Sequence, residues 1–417
     1  MNTSNFSEYL FKPYFDLYQQ EDVALNAYGP PLAYKRLING LDTETDYLLV
    51  QRLMPTAFRY ELGKFTNRTD GHFNPFQISK DKRSERWQIL CEYIEKFPIL
   101  NSLEKHSVSH ILISLGYYEF TNILLKPYAQ INVNPSIHEA SLSYRYAFTR
   151  FMLFVKSKHY SPDDLIKIAN NSPLGSMAKV SATLRLLVYY GRFKKDLNST
   201  RFWKNESTKA INSLPLDTGS FTYNIIWSRY YRGTSFLPLL EKDLKNTIFE
   251  MKLSEEYAMA AKYNNNEEKI LWKANIYPVV QSQQRLADIQ NDINMSIERG
   301  HQMINLDPWY SNAHLDLGNS LFKAGNYNEA LKEYQISSTL GPPTYLYATF
   351  LAGRCYEELG EMELATELYI NTLRKDPQGI STKQILANIN VKKASLFSKL
   401  YKENYSDYTN KEYQQIY

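Results

Sequence analysis

Residues 311–342 read SNAHLDLGNSLFKAGNYNEALKEYQISSTLGP, and residues 346–377 read LYATFLAGRCYEELGEMELATELYINTLRKDP. The two segments carry the same residues at a constant offset of 35 positions, as from Gly318 to Gly353. The other matched pairs are Gly325 and Gly360, Ala330 and Ala365, Tyr334 and Tyr369, and Pro342 and Pro377. A period of about this length is typical of stacked helical hairpins. The segments are therefore predicted to be two copies of one α-helical repeat.

Each copy is predicted to contain two amphipathic helices around a tight turn. In the first copy, leucines at positions 315, 317 and 321 give helix A an apolar face. Gly325 ends that helix, because a left-handed backbone costs glycine least. Small residues at Gly318 and Ala330 let the two helices approach closely. Pro342 follows the second helix, which a proline cannot continue.

These residues resemble the tetratricopeptide repeat family over about residues 305–378. The matching positions are the residue before glycine (Leu317 and Ala352), the turn glycine, the helix B alanine, the aromatic residue four positions later and the closing proline. The pattern departs at the first aromatic position, where His314 and Thr349 replace tryptophan. The resemblance implies a repeat that binds other proteins.

In that family, the first helix of each repeat lines a concave groove. Carried over by position, the groove residues are Asn312, Leu315, Asn319, Phe322, Lys323, Tyr347, Phe350, Arg354 and Glu357. Asn319 matches an asparagine that chaperone-binding members use on a peptide carboxylate. Leu315 and Leu351 replace two other members of that clamp, so we do not expect a chaperone C-terminal tail as the ligand. The alternative is that these side chains pack on neighbouring helices of the same chain.

The rest of the chain is divided by composition and periodicity. Residues 1–100 are irregular and partly helical, and residues 101–305 contain helical hairpins with candidate turn glycines at 116, 191 and 233. These hairpins are either degenerate repeats or a separate helical domain fused to the two repeats. Residues 306–378 hold the repeats, 379–402 a capping helix, and 403–417 a polar tail. The predicted fold is an all-α, helical-hairpin α-solenoid.

Composition limits the function classes for this chain of 417 residues. The net charge of +4 arises from 48 basic and 44 acidic residues, which gives no indication of nucleic acid binding. Cys91 and Cys355 are the only cysteines, so we expect no disulfide framework and a cytoplasmic location. No run of roughly 18 apolar residues is present, so no membrane span is expected.

The sequence contains no complete catalytic or metal-binding pattern. The sequence has no P-loop, dinucleotide fingerprint, nucleophile elbow or kinase signature. His106 and His110 have helical metal-ligand spacing, but the glutamate of a zinc protease motif is missing. Asp163 and Asp164 are interpreted as helix N-terminal residues. We therefore expect no catalytic residues, no metal and no cofactor.

Residues 227–236, WSRYYRGTSF, are the densest aromatic and basic segment. Trp227, Arg229, Tyr230 and Arg232 could hold an anionic or planar ligand by guanidinium hydrogen bonds and stacking. The alternative is an amphipathic helix that buries Trp227, Tyr231 and Phe236 and exposes its arginines.

Three functions remain open at this point. The first is a soluble scaffold or adaptor whose repeats bind a peptide or a partner helix. The second is a helical enzyme or small-molecule-binding domain, in a biosynthetic or peptide-modifying role, with the repeats as a recruitment arm. The third is a regulator that responds to a signalling peptide.

Overall fold

The computed structural model describes residues 76, 80, 85–114, 118–129, 135–155, 159–264, 266–307, 310–339 and 345–375. All regular structure in these ranges is helical, which confirms the prediction of an all-α chain built from helical hairpins. Most of the predicted irregular region before residue 85, the turn at Gly116, the capping helix 379–402 and the tail 403–417 lie outside the described residues. The chain divides into two compact units, Met1–Tyr310 and Ser311–Tyr417.

The described part of the first unit contains twelve α-helices. They are α1 (Glu85–Glu95), α2 (Ser102–Ser114), α3 (Tyr118–Leu125), α4 (Ile137–Phe154), α5 (Asp163–Asn171), α6 (Met177–Val188), α7 (Leu197–Asn212), α8 (Phe221–Thr234), α9 (Phe236–Leu240), α10 (Leu244–Ala260), α11 (Asn266–Gln290) and α12 (Ile293–Leu306). Short 3₁₀ turns follow α1 and α3, and a π-helical segment, Tyr189–Lys194, follows α6.

Helices of the first unit pack in two directions. Hairpin partners pack together in the pairs α2–α3, α4–α5, α6–α7, α8–α10 and α11–α12. The first helices of successive hairpins also pack side by side, in the order α2, α4, α6, α8 and α11. Side chains from different hairpins are therefore brought together along this row of first helices.

In the described part of the second unit, the two repeats form four helices. These are α13 (Ser311–Lys323), α14 (Tyr327–Thr339), α15 (Tyr345–Glu358) and α16 (Met362–Lys375). Each helix packs on the next, and the two first helices, α13 and α15, also contact one another. Ala330 and Ala365 are fully buried between helices, as the small-residue pattern predicts.

Four hairpin turns, two in each unit, share one backbone geometry. At each turn, one residue has a positive φ angle: Lys242 (61°), Asn291 (56°), Gly325 (79°) and Gly360 (85°). The next residue donates its N–H to the carbonyl five positions earlier: Asp243 to Pro238 (2.8 Å), Asp292 to Ala287 (2.9 Å), Asn326 to Leu321 (3.0 Å) and Glu361 to Tyr356 (2.8 Å). This is the Schellman motif, which satisfies carbonyls at a helix C-terminus.

The turn between α6 and α7 is a wider version of this motif. Lys195 has a φ angle of 54°, and Asp196 donates its N–H to Tyr190 O, six positions earlier, over 3.1 Å. The additional residue is accommodated by the π-helical segment. The Asp196 side chain then accepts from Ser199 N and caps α7.

Gly191 and Gly233 are not turn residues, so both predictions are wrong. Gly191 lies in the π-helical segment, where an added β-carbon would be 2.7 Å from Phe236 Cβ. Gly233 lies inside α8, where an added β-carbon would be 3.1 Å from Leu187 Cδ2. Both glycines permit close helix packing, and the left-handed turn position is occupied by a lysine instead.

Both cysteines are buried and unoxidised. Burial raises the pKa of the Cys355 thiol to about 12. Among the described residues, no helix combines the length and apolar character that a membrane crossing requires.

Candidate functional site

The nine predicted groove residues lie on α13 and α15 and divide into two groups by exposure. Seven are half-buried or exposed: Asn312, Asn319, Phe322, Lys323, Tyr347, Arg354 and Glu357. Leu315 and Phe350 are only 8% and 1% exposed. These two side chains pack inside the unit, as the alternative interpretation expected, so they offer little surface to a partner.

Arg354 and Phe322 connect the two repeats. The guanidinium carbon of Arg354, on α15, lies 4.8 Å from the centroid of the Phe322 ring on α13. The Phe322 and Tyr327 rings also pack in a T-shaped arrangement, with centroids 5.2 Å apart. A cation held over an aromatic ring at this distance is attracted by the ring's quadrupole. The contact places one aromatic and one basic group side by side on adjacent first helices.

Two buried tyrosines hold groove residues by their hydroxyl groups. Tyr334 OH donates to Asn319 Oδ1 over 2.9 Å, and Tyr369 OH donates to Glu357 Oε2 over 2.8 Å. Burial raises the pKa of both tyrosines, that of Tyr369 to about 12. Both hydroxyls therefore remain donors at neutral pH. The bond uses the carbonyl oxygen of Asn319, so its N–H₂ group is the part that can donate to a partner.

Stacked aromatic rings hold the groove residue Tyr347 in place on α15. Tyr347 stacks on Phe350, with centroids 6.3 Å apart and planes 24° from parallel. Phe350 in turn contacts Tyr369, at 5.4 Å between centroids. The half-buried Tyr347 is therefore backed by a fully buried ring.

The second predicted site, residues 227–232 of α8, is partly a packing cluster. Tyr230 is 5% exposed, and its hydroxyl lies 2.8 Å from Thr208 Oγ1. Trp227 is half-buried and stacks on Tyr257 at 6.2 Å, and Tyr231 stacks on the same Tyr257 ring at 5.4 Å. The expected burial of Trp227, Tyr231 and Phe236 is thus only partial, and Tyr230 is the aromatic residue of this segment that enters the core.

Arg229 and Arg232 are half-buried, so the expectation of exposed arginines is wrong. Arg229 Nε donates to Asn275 Oδ1 over 3.3 Å, and Asn275 Nδ2 donates to Ser228 Oγ over 2.9 Å. Burial, together with the nearby charges of Arg232 and Arg185, lowers the pKa of Arg229 to about 9. Arg185 lies on α6, one hairpin earlier in the chain. The sequence of residues 227–236 alone could therefore not have indicated that Arg185 is a neighbour of Arg229.

The remaining candidates have structural explanations. His106 is 2% exposed, and its Nε2 lies 3.1 Å from Nη2 of the buried Arg145, a cationic neighbour that disfavours a metal ion. Asp163 and Asp164 lie in the first turn of α5, as predicted, and Asp164 pairs with Arg150. Across the described ranges, no group of three or more acidic, histidine or cysteine side chains could hold a metal ion.

The chain matches no family model. No curated protein matches it either. Among solved structures, the human IFIT1 dimer with PPP-AAAA shares 15% identity over 95% of this chain and 90% of that one, with a TM-score of 0.45. The human IFIT1 dimer with m7Gppp-AAAA shares 12% identity over 96% and 90%, also at 0.45. The APC/C hetero-tetramer Cut9–Hcn1 shares 11% identity over 91% and 98%, at 0.24. Similarities of this strength assign neither a family nor a function.

Proposed function

We propose that this protein is a helical-repeat adaptor that binds a peptide or an amphipathic helix of a partner protein across α13 and α15. The observation that carries the proposal is the pairing of Arg354 with Phe322, because it joins the first helices of both repeats at one accessible point. A partner that crosses this point contacts both repeats.

The accessible groove residues have the chemistry of a protein interface. Asn312 and Asn319 supply amide hydrogen bonds, and Phe322 and Tyr347 supply aromatic surface. The charged members are Lys323, Arg354 and Glu357. Tyrosine and arginine are enriched among the residues that contribute most to binding energy. A mixed surface of this kind suits an extended peptide or a helix better than a purely apolar ligand.

The groove residues are also held in place before a partner binds. The Tyr334 and Tyr369 hydroxyls fix Asn319 and Glu357, and the Phe322 ring fixes Arg354. A side chain that is already ordered loses less conformational entropy on binding, which favours affinity. The expectations of no nucleic acid ligand and of a cytoplasmic location remain predictions.

The test is a selection of displayed random peptides on the full-length protein, followed by calorimetry with the selected peptides. Asn319→Ala and Arg354→Ala are each expected to weaken binding at least about 10-fold, a loss of about 1.4 kcal/mol. Lys332→Ala is the matched control, because Lys332 is exposed on the second helix, α14. The proposal fails if no peptide is selected, or if the groove variants bind as tightly as the control.

A further inference from the structure

Arg185, on α6, is a half-buried cation that lies against two aromatic rings of the neighbouring helix α4. Its guanidinium carbon is 4.9 Å from the centroid of Phe148 and 5.2 Å from that of Phe151. Both rings belong to the core of the unit, with 1% and 3% of their surface exposed. The Nε of Arg185 is buried and has no hydrogen-bond partner within the described part of the chain. Ring contacts therefore orient the guanidinium group, and its Nε–H is left as a donor.

Tyr189 supplies a second donor, one helical turn further along the chain. Its backbone N–H donates to Arg185 O, so the two side chains leave the same face of the helix. The Tyr189 ring also packs against Phe151, with centroids 6.3 Å apart. The half-buried Tyr160 ring packs against both, 5.5 Å from Tyr189 and 5.8 Å from Phe151. Tyr189 is 1% exposed, and its hydroxyl has no hydrogen-bond partner among the described residues. Buried donors without acceptors cost free energy, which a bound acceptor recovers.

Arg185 also has no carboxylate partner of its own. No ion pair of the described residues includes it. The carboxylate that acts on the adjacent Tyr160 ring is Asp164, and this group is already paired with Arg150. A cation in a partly dehydrated place is stabilised by a nearby anion more strongly than it would be in bulk water. A neutral acceptor would satisfy the free donors, but only an anion would also pair with the charge.

We propose that Arg185 and Tyr189 bind a carboxylate group that is attached to an apolar body, on the face of α6 that packs toward α4. A carboxylate has two oxygens, so it can accept from the guanidinium group and from the tyrosine hydroxyl at once. Its single charge matches the single guanidinium, whereas a phosphate group would bring about −1.5 to −2 charges to one cation. The rings of Phe148, Phe151 and Tyr160 favour an aromatic or aliphatic body. The site is independent of the peptide groove on α13 and α15.

The experiment measures the melting temperature of the full-length protein with 3-phenylpropionate and with 3-phenylpropionamide. The acid is expected to raise the melting temperature in a saturable way, because a ligand that binds only the folded state stabilises it. The amide has the same ring and size but no charge, so no rise is expected at the same concentration. N-acetylphenylalanine imitates the end of a polypeptide. A larger rise with this probe would identify a polypeptide C-terminus as the source of the carboxylate, and a larger rise with 3-phenylpropionate would identify a small acid.

Arg185→Gln and Tyr189→Phe remove the two donors one at a time, and Arg201→Gln is the matched control for the loss of a positive charge. Arg201 is in the same unit and pairs on the surface with Glu241, its side chain 52% exposed. Arg185→Gln is expected to weaken 3-phenylpropionate binding at least about 10-fold, and Tyr189→Phe at least about 3-fold, because each loses a hydrogen bond to a charged group. The control is expected to change binding less than about 2-fold.

Arg185→Lys covers the case in which the glutamine variant fails to fold. The lysine retains the positive charge but not the planar set of N–H donors, so it is also expected to weaken binding, by at least about 3-fold. Three results would overturn the proposal: no rise in melting temperature with either acid at millimolar concentration, an equal rise with the amide, or site variants that bind the acid as tightly as the Arg201 control.

Discussion

Gly318 lies against the ring of Tyr334: a β-carbon added to the glycine would be 2.6 Å from Cε1 of the tyrosine. Gly353 and Tyr369 repeat the arrangement in the second repeat, again with 2.6 Å. Both glycines lie inside helices, so they are needed for the close approach of the ring and not for an unusual backbone. The same two tyrosines donate to groove residues, so helix packing and the groove depend on one ring in each repeat.

Gly318→Ala is therefore expected to destabilise the protein. In an ordinary helix interior, this change stabilises by roughly 0.5–1 kcal/mol. Here the added methyl group would overlap a ring that is 1% exposed and cannot move freely, and such overpacking costs about 1–3 kcal/mol. The expected net loss is about 1 kcal/mol, measured as a lower denaturation midpoint. An unchanged or higher midpoint would show that the ring can move aside.

Lys242→Gly is expected to stabilise the protein. Lys242 has a φ angle of 61°, and a side chain in the left-handed region costs roughly 1–2 kcal/mol. Glycine removes that cost but adds about 0.5–1 kcal/mol of unfolded-chain entropy, so the expected net gain is about 0.5–1 kcal/mol. Lys252→Gly is the control, because Lys252 is an exposed residue inside α10, where glycine should destabilise by about 1 kcal/mol. Equal effects at both positions would contradict the prediction.

The contact between Arg354 and Phe322 is expected to be measurable in a double-mutant cycle. Arg354→Ala, Phe322→Leu and the double variant should show a coupling free energy of about 0.5–1 kcal/mol in denaturation experiments. Additive effects of the two substitutions would mean that this contact contributes no coupling free energy between the two repeats.

The second unit is expected to lose stability as the pH rises above about 9. Burial raises the pKa of Cys355 from 9.0 to about 12, raises the pKa of Tyr369 from 10.0 to about 12, and raises the pKa of Tyr334 as well. Between the unfolded and folded pKa values, the unfolded chain has released these protons and the folded chain has not. The unfolded state then binds fewer protons, so the free energy of unfolding falls with rising pH.

The measurement is the denaturation midpoint between pH 8 and about pH 11.5. Each titrating group contributes a slope of about 1.4 kcal/mol per pH unit. Tyr369→Phe should flatten the curve between about pH 10 and 12. A wild-type curve that stays level across this interval would show that these groups ionise equally well in the folded protein.

The repeat pair could be predicted from the sequence because its packing is local. Gly318 and Tyr334 are 16 positions apart within one hairpin, so their contact recurs with the period of the repeat. Gly191 and Gly233 were wrong as turn residues because glycine does not occupy the left-handed position of these hairpin turns in the first unit. The better marker is an aspartate just after that residue, as in Lys195-Asp196, Lys242-Asp243 and Asn291-Asp292.

The site residues were predicted less completely, for two physical reasons. Position within a repeat places a side chain on the first helix, but its depth depends on neighbours, so Leu315 and Phe350 proved to be buried. Arg185 is brought near Arg229 only by packing between hairpins, and no local sequence pattern relates residues 44 positions apart. Contacts of this kind require the tertiary structure.

Because both cysteines are buried, the folded protein is expected to react only slowly with thiol-specific reagents. A single cysteine introduced at an exposed position outside the groove, such as Lys332 on α14, would therefore be the preferred point of attachment for a fluorescent dye, with no need to remove the native residues. The fluorescence of the attached dye would then follow the binding of a ligand to the repeats in real time.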